Sequence, residues 1–139
     1  MSQPLLPPDP TSAPTGFVCS WKTDGVDAAW VHVGGDLDLS TAPQLKQTLR
    51  EAQLEARLVV LDLRELSFMD SSGVHAMVDA SHRARKAGRR LVLLRGPPHV
   101  DRTFELTGTI GDVEITDLAP GEPPVQVLLQ LAERDRSRV

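Results

Sequence analysis

The run Asp70-Ser71-Ser72-Gly73 holds the residue types in this chain best suited to chemistry. A carboxylate followed by hydroxyls is also a common way to begin a helix, because Asp and Ser side chains accept hydrogen bonds from the first backbone N–H groups. The segment follows the apolar run Leu58-Val59-Val60-Leu61-Asp62-Leu63. It precedes Val74, Met77, Val78, Ser81 and Arg85, which share one helical face. Ser71 therefore falls at or beside an N-cap, with Gly73 in the first turn. Unpaired N–H groups and the positive end of the helix dipole make that position tolerant of an anion. A phosphate on Ser71 would add nearly two negative charges beside Asp70. It should leave the fold intact and spoil the surface for an acidic or tightly fitted partner. From spacing alone, the competing reading of Ser71 is a plain helix cap. Asp70 reads as an orienter of the loop or as a backbone cap, and Ser72 as a cap or a second acceptor. Gly73 reads as a place for a partner's backbone to approach or as relief from crowding.

Other chemistries find less support. His75, Asp79 and His82 recur at i, i+4 and i+7, a spacing that could hold zinc, but a solvated helix face accounts for them and no metal site is expected. The Gly-x-Ser-x-Gly elbow of serine hydrolases is missing, and nothing specifies a geometry for His99 as a base. Neither a Gly-x-x-x-x-Gly-Lys loop nor a Gly-x-Gly-x-x-Gly fingerprint occurs, so no nucleotide cofactor is expected and the chain does not read as an enzyme. Arg83, Arg85, Lys86, Arg89 and Arg90 cluster where a helix should end. A nucleic-acid or acidic-partner patch is conceivable, but the helix dipole alone accounts for basic residues there. A net charge of −4 argues against broad binding to nucleic acid or an anionic membrane. A single cysteine, Cys19, excludes an intramolecular disulfide and reads as a small core residue. With no apolar run near ~18 residues and no visible signal peptide, the expectation is a cytoplasmic protein, a monomer being the simplest state.

The elements that must position the serine motif form one α/β domain. Residues 1–15 carry five of the eleven prolines and read as a disordered tail. Phe17–Trp21 and Ala29–Val33 read as an antiparallel hairpin turning at Gly25, with Gly34-Gly35 ending the second strand. Thr41 and Gln44 fit a capping box, with Pro43 in the first turn and Leu45, Leu49, Ala52 and Ala56 at helical spacing. The run 58–63 suits a strand buried on both faces. A strand at 90–94, a helix from Pro97-Pro98 to Gly108 and a strand at 113–115 follow. The domain is expected over 16–118, and 119–139 reads as a linker and C-terminal helix. The order β-β-α-β-α-β-α-β-α predicts a mixed, mostly parallel sheet opened by a hairpin, with helices packed against it.

Gly35-Asp36-Leu37-Asp38, Thr41-Ala42-Pro43 with Leu45, Leu61-Asp62-Leu63 and Leu66-Ser67-Phe68-Met69-Asp70-Ser71-Ser72-Gly73 stand in an order that resembles the STAS domain. More narrowly, they resemble bacterial anti-sigma factor antagonists, over about residues 17–116. The resemblance implies a small α/β module that binds an anti-sigma factor, itself a serine kinase of the GHKL type. That kinase would phosphorylate Ser71 and so release the antagonist, and a serine phosphatase would reset the cycle. By the same resemblance, the loop from Asp36 to Thr41 borders the partner surface, with Asp36, Asp38 and Thr41 as contacts beside Asp70, Ser71, Ser72 and Gly73. His75 departs from the small residue that many relatives carry and bears on which partner fits. A STAS scaffold serving a lipid-transport or sensory assembly is the alternative.

Overall fold

A computed structural model describes residues 16–23 and 27–117. The expected tail, the turn at Gly25 and the C-terminal linker and helix lie outside the described residues.

Five strands form one sheet in the order β1-β2-β3-β4-β5. They are β1 (Val18–Thr23), β2 (Ala28–Leu37), β3 (Leu58–Met69), β4 (Arg90–Leu94) and β5 (Glu114–Thr116). β1 runs antiparallel to β2, and every later pair is parallel. Three helices connect the parallel strands: α1 (Ala42–Glu55), α2 (Ser71–Lys86) and α3 (Pro98–Leu106), with a short 3-10 turn at Ile110–Asp112. The expected mixed sheet with packed helices is the fold observed.

Period-two alternation sorts the strand residues onto two faces. Val31, Val59, Leu61, Leu63, Leu91 and Leu93 pack with Leu45, Leu49 and Ala52 of α1, Val74, Met77 and Ala80 of α2, and Val100 and Phe104 of α3. Cys19 leans on the edge of this cluster, where burial pushes its thiol pKa up against a smaller opposing effect of Thr48. Ala28, Trp30, Leu58, Val60, Val92 and Leu94 form a second buried cluster on the opposite face. The near-continuous apolar run at 58–63 is thus a central strand buried on both sides, as its composition requires.

Two boundaries differ from the sequence reading, for one reason. Gly34-Gly35 does not end β2. The strand passes through register shifts between His32 and Gly34 and between Gly35 and Asp36, then pairs on to Leu37 against Met69. β3 is correspondingly longer than 58–63 and carries Ser67, Phe68 and Met69 as strand. An irregularity bends a strand without ending its ladder, and the exposed pattern of Glu65, Ser67 and Phe68 hides the extension from any period count. Asp36 therefore lies in β2, opposite Phe68, rather than in the following loop.

Helix ends follow local chemistry. Gly88 has φ +69° and ends α2, with Gly88 N–H on the Arg85 carbonyl at 3.1 Å and Arg89 N–H on the Ala84 carbonyl at 2.7 Å. This double bond pattern needs a left-handed residue, which glycine adopts without a Cβ penalty. α1 departs from expectation: Thr41 precedes it, but its side chain makes no capping bond, so the expected capping box with Gln44 does not form.

Candidate functional site

The paired ends of β2 and β3 build the site. Leu37 opposite Met69 is their last register pair, and the Asp70 N–H donates to the Leu37 carbonyl at 3.1 Å. Because the strands are parallel neighbours, the segments after Leu37 and after Met69 leave the same sheet edge about 4.8 Å apart. One becomes the turn Asp38-Leu39-Ser40-Thr41 into α1, and the other becomes Asp70 and the start of α2. α3 buttresses the second: Thr103 Oγ1 donates to the Met69 carbonyl at 3.2 Å, and His99 Nε2 lies 2.5 Å from the Ser67 carbonyl oxygen. That contact places His99 on backbone.

The turn after β2 is held from within. Asp38 Oδ1 accepts from Ser40 N–H at 2.9 Å, Ser40 Oγ at 2.7 Å and Thr41 N–H at 3.3 Å. Thr41 Oγ1 donates to the Asp36 carbonyl at 2.9 Å and accepts from Asp38 N–H at 2.9 Å. This bridge is why Thr41 cannot cap α1. The Ser40 hydroxyl foremost holds the Asp38 carboxyl below its ordinary pKa; desolvation opposes it, and bonds from the Ser40 and Thr41 backbones and the Thr41 hydroxyl add to the lowering.

At α2 the open alternatives resolve. Asp70 is the N-cap, its Oδ1 accepting from Ser72 N–H at 2.8 Å, while Gly73 and Val74 N–H groups reach the Asp70 carbonyl at 3.1 and 3.3 Å. Ser72 is therefore capped rather than capping. The anion-ready terminus read from the sequence is also partly filled, since the protein's own carboxylate holds one of its donors. Ser71 occupies the first helical position and is exposed. Gly73 is buried: a Cβ there would stand 2.6 Å from Leu37 Cδ2 and 2.8 Å from Met69 Cγ. It relieves crowding where α2 meets the strand ends, and little of it faces solvent. His75 is exposed one turn along, and Asp36, Asp38, Thr41, Asp70 and Ser72 are half-buried.

Two residues missed by sequence reasoning complete the tip. Leu39 is 78% exposed in the turn after β2, and Phe68 is 47% exposed just before Met69. The signal was present: a leucine within an otherwise polar turn, and one of only three phenylalanines in the chain. His75, Asp79 and His82 do not converge on a metal, and among the described residues no group of three or more metal-ligating side chains forms. None of the described helices is long and apolar enough to cross a membrane.

The STAS domain family model matches residues 21–118. The chain belongs to the STAS family. Its curated relatives at 30% identity or more include anti-sigma-B factor antagonists. It is 35% identical over 97 residues to the anti-sigma-B factor antagonist of Listeria monocytogenes, a match covering 69% of this chain and 82% of the relative. It is 32% identical over 79 residues to that of Staphylococcus aureus, covering 56% and 73%. Among solved structures, the anti-sigma factor antagonist SpoIIAA in its unphosphorylated form matches with a TM-score of 0.66 at 20% identity, covering 88% of this chain and 99% of that one. An anti-sigma factor antagonist from Mycobacterium paratuberculosis matches with a TM-score of 0.68 at 19% identity, covering 84% and 94%. These two likenesses establish the STAS fold. The family is one of regulatory proteins rather than enzymes.

Replacing Asp70 with Ala removes the α2 cap and is expected to cost about 1 kcal/mol. Asp70→Asn should recover most of it, as read by denaturant midpoints. The depressed Asp38 pKa has a defined sign. The bonds to its carboxylate stabilise the folded turn above the carboxyl's unfolded-state pKa, and that contribution is lost as pH falls through the lower folded-state value. Carboxyl-detected NMR should show Asp38 titrating below an ordinary Asp, with the Ser40 amide shift following it.

Proposed function

We propose that this chain binds an anti-sigma factor through the strand-end tip and is released when Ser71 is phosphorylated. The observation that carries this reading is an exposed hydroxyl at the first position of α2, on a backbone fixed by Asp70, at the same strand-end edge from which the exposed Leu39 and Phe68 project. A kinase needs such a hydroxyl presented without competing bonds, and a partner needs an apolar anchor to bury. The partner is an anti-sigma factor of the GHKL serine kinase type. A serine phosphatase restores the free hydroxyl. The chain itself performs no catalysis, needs no cofactor, acts as a monomer in the cytoplasm and touches neither nucleic acid nor membrane.

The two apolar residues explain how phosphorylation releases the partner. A contact that covers Ser71 and anchors on Leu39 or Phe68 excludes water from the Ser71 hydroxyl. Desolvating a neutral hydroxyl costs little if it finds a hydrogen bond, whereas desolvating a phosphate dianion costs far more. The phosphate would also stand beside the Asp70 carboxylate, which is already committed to the helix cap. Free in water, the helix dipole eases the same charge. Phosphorylation therefore penalises the complex and leaves the free protein folded. Asp36, Asp38 and Ser72 border the contact, and His75 tunes partner choice.

Incubation with the cognate kinase and ATP, followed by intact-mass analysis and peptide mapping, should place one phosphate on Ser71, absent from Ser71→Ala. An unmodified chain beside a demonstrably active kinase contradicts the reading. Ser71→Glu should retain the native circular dichroism spectrum and bind the anti-sigma factor about tenfold or more weakly, a loss of ~1.4 kcal/mol. Leu39→Ser should likewise weaken binding by about tenfold with thermal stability unchanged. Calorimetric titration showing full affinity in Leu39→Ser would remove the apolar anchor from the mechanism.

A further inference from the structure

A second surface feature lies at the other end of α1 and α2, where Arg50, Leu54, Arg83, Ala84, Ala87 and Arg89 line an open groove of about 410 Å³. Its size falls within the range of specific ligand sites. Arg83 lies twelve residues along α2 from Ser71, about 18 Å at helical rise. The groove is therefore outside the strand-end tip.

Its lining is mostly apolar, and two of its three arginines, Arg83 and Arg89, are held in place. Leu54 is 78% exposed at the rim, with Ala84 and Ala87 beneath. Gln53 is buried, and its Nε2 donates to the Ala80 carbonyl at 2.9 Å. Its Oε1 accepts from Arg83 Nε at 3.1 Å and Nη2 at 2.8 Å. Arg89 Nη1 donates to the backbone carbonyls of Gln53 and Ala56, at the end of α1. Both guanidiniums thus rest on neutral oxygens. Among the described residues, Arg50, Arg83 and Arg89 form no ion pair with a carboxylate. Burial, and then the neighbouring Arg50, lower the Arg83 pKa, with only partial relief from Asp79. In a chain of net charge −4, this is a preorganised basic rim around an apolar floor.

We infer that the groove is a second docking site, for an acidic, leucine-bearing segment of a partner protein. The segment's apolar side chain fills the space over Ala84 and Ala87 against Leu54, and its carboxylates meet Arg50 and Arg83. Three cations call for more than one carboxylate, which favours a peptide over a single fatty acid. The groove between the helix ends suits recognition of an amphipathic helix. Because both guanidiniums of α2 and its following turn are already positioned, little side-chain entropy is lost on binding.

The probe is a fluorescein-labelled amphipathic peptide of leucine and glutamate, titrated into the full chain and followed by anisotropy. The same peptide with lysine for glutamate and free decanoate serve as comparisons. Binding of the glutamate peptide is expected to weaken at least about tenfold in Arg50→Glu and in Leu54→Asp, and to weaken with salt. Arg50→Glu should retain its affinity for the anti-sigma factor, which separates this groove from the Ser71 surface. Arg83→Glu also breaks the bond to Gln53, so the exposed Arg50 and Leu54 variants decide the outcome. Absence of binding, equal binding of the lysine peptide, or binding unmoved by Arg50→Glu and Leu54→Asp would overturn the proposal. Decanoate displacing the peptide at equal concentration would replace the protein segment with a small amphipathic acid and overturn it as well.

Discussion

The parallel pairing of β2 with β3, carried to Leu37 opposite Met69 and closed by the Asp70 N–H on the Leu37 carbonyl, is the constraint on which the rest depends. Parallel strands need a crossover, and α1 supplies it by burying Leu45, Leu49 and Ala52 on the sheet. The pairing then delivers two separate segments to one edge. Leu37 and Met69 belong to the main core, so the backbone that presents Ser71 is tied to the best-packed part of the molecule. Gly73 lets α2 begin directly on those two side chains, and any larger residue would push the helix start away.

Side chains at the tip divide into those turned inward and those turned outward. Asp38, Thr41 and Asp70 spend their polar atoms on backbone N–H and carbonyl groups. Ser71, His75, Leu39 and Phe68 face out. The inward set makes the turn and the helix start rigid, and the outward set is what another molecule can meet. A similar division recurs at the far end of the helices, where Gln53 turns inward and fixes Arg83, while Leu54 turns out.

Much of the architecture was legible because it rests on strong periodic signals. The apolar run at 58–63, the stripe Leu45-Leu49-Ala52 and the glycine after α2 each follow from one physical rule and sit where expected, whereas Ala56, expected as the stripe's last member, is the extended residue that ends α1. The extension of β2 through Gly34-Gly35 was not legible, because glycine marks a strand end and a bulge equally well. Thr41 misled for a related reason. Its type fits a cap, but its hydroxyl bridges Asp36 and Asp38, a contact across a turn that no spacing rule encodes. Ser71 was found from its motif. Leu39 and Phe68 left only a hint, a leucine in a polar turn and a rare phenylalanine, because exposure of an apolar residue is a tertiary property: Leu37, two positions before Leu39, is fully buried.

The closed hydrogen-bond set around Asp38 and Thr41 has a kinetic consequence. The bonds hold the Asp38 carboxyl in its charged form without neutralising it, so the tip keeps a negative field that speeds encounter with a basic partner surface and slows it with an acidic one. Under the proposed function, discrimination also falls on how long the pair stays together once Leu39 and Phe68 are covered. Under that function a phosphate at Ser71 would act on both terms, adding to the negative field and shortening the time the pair stays together.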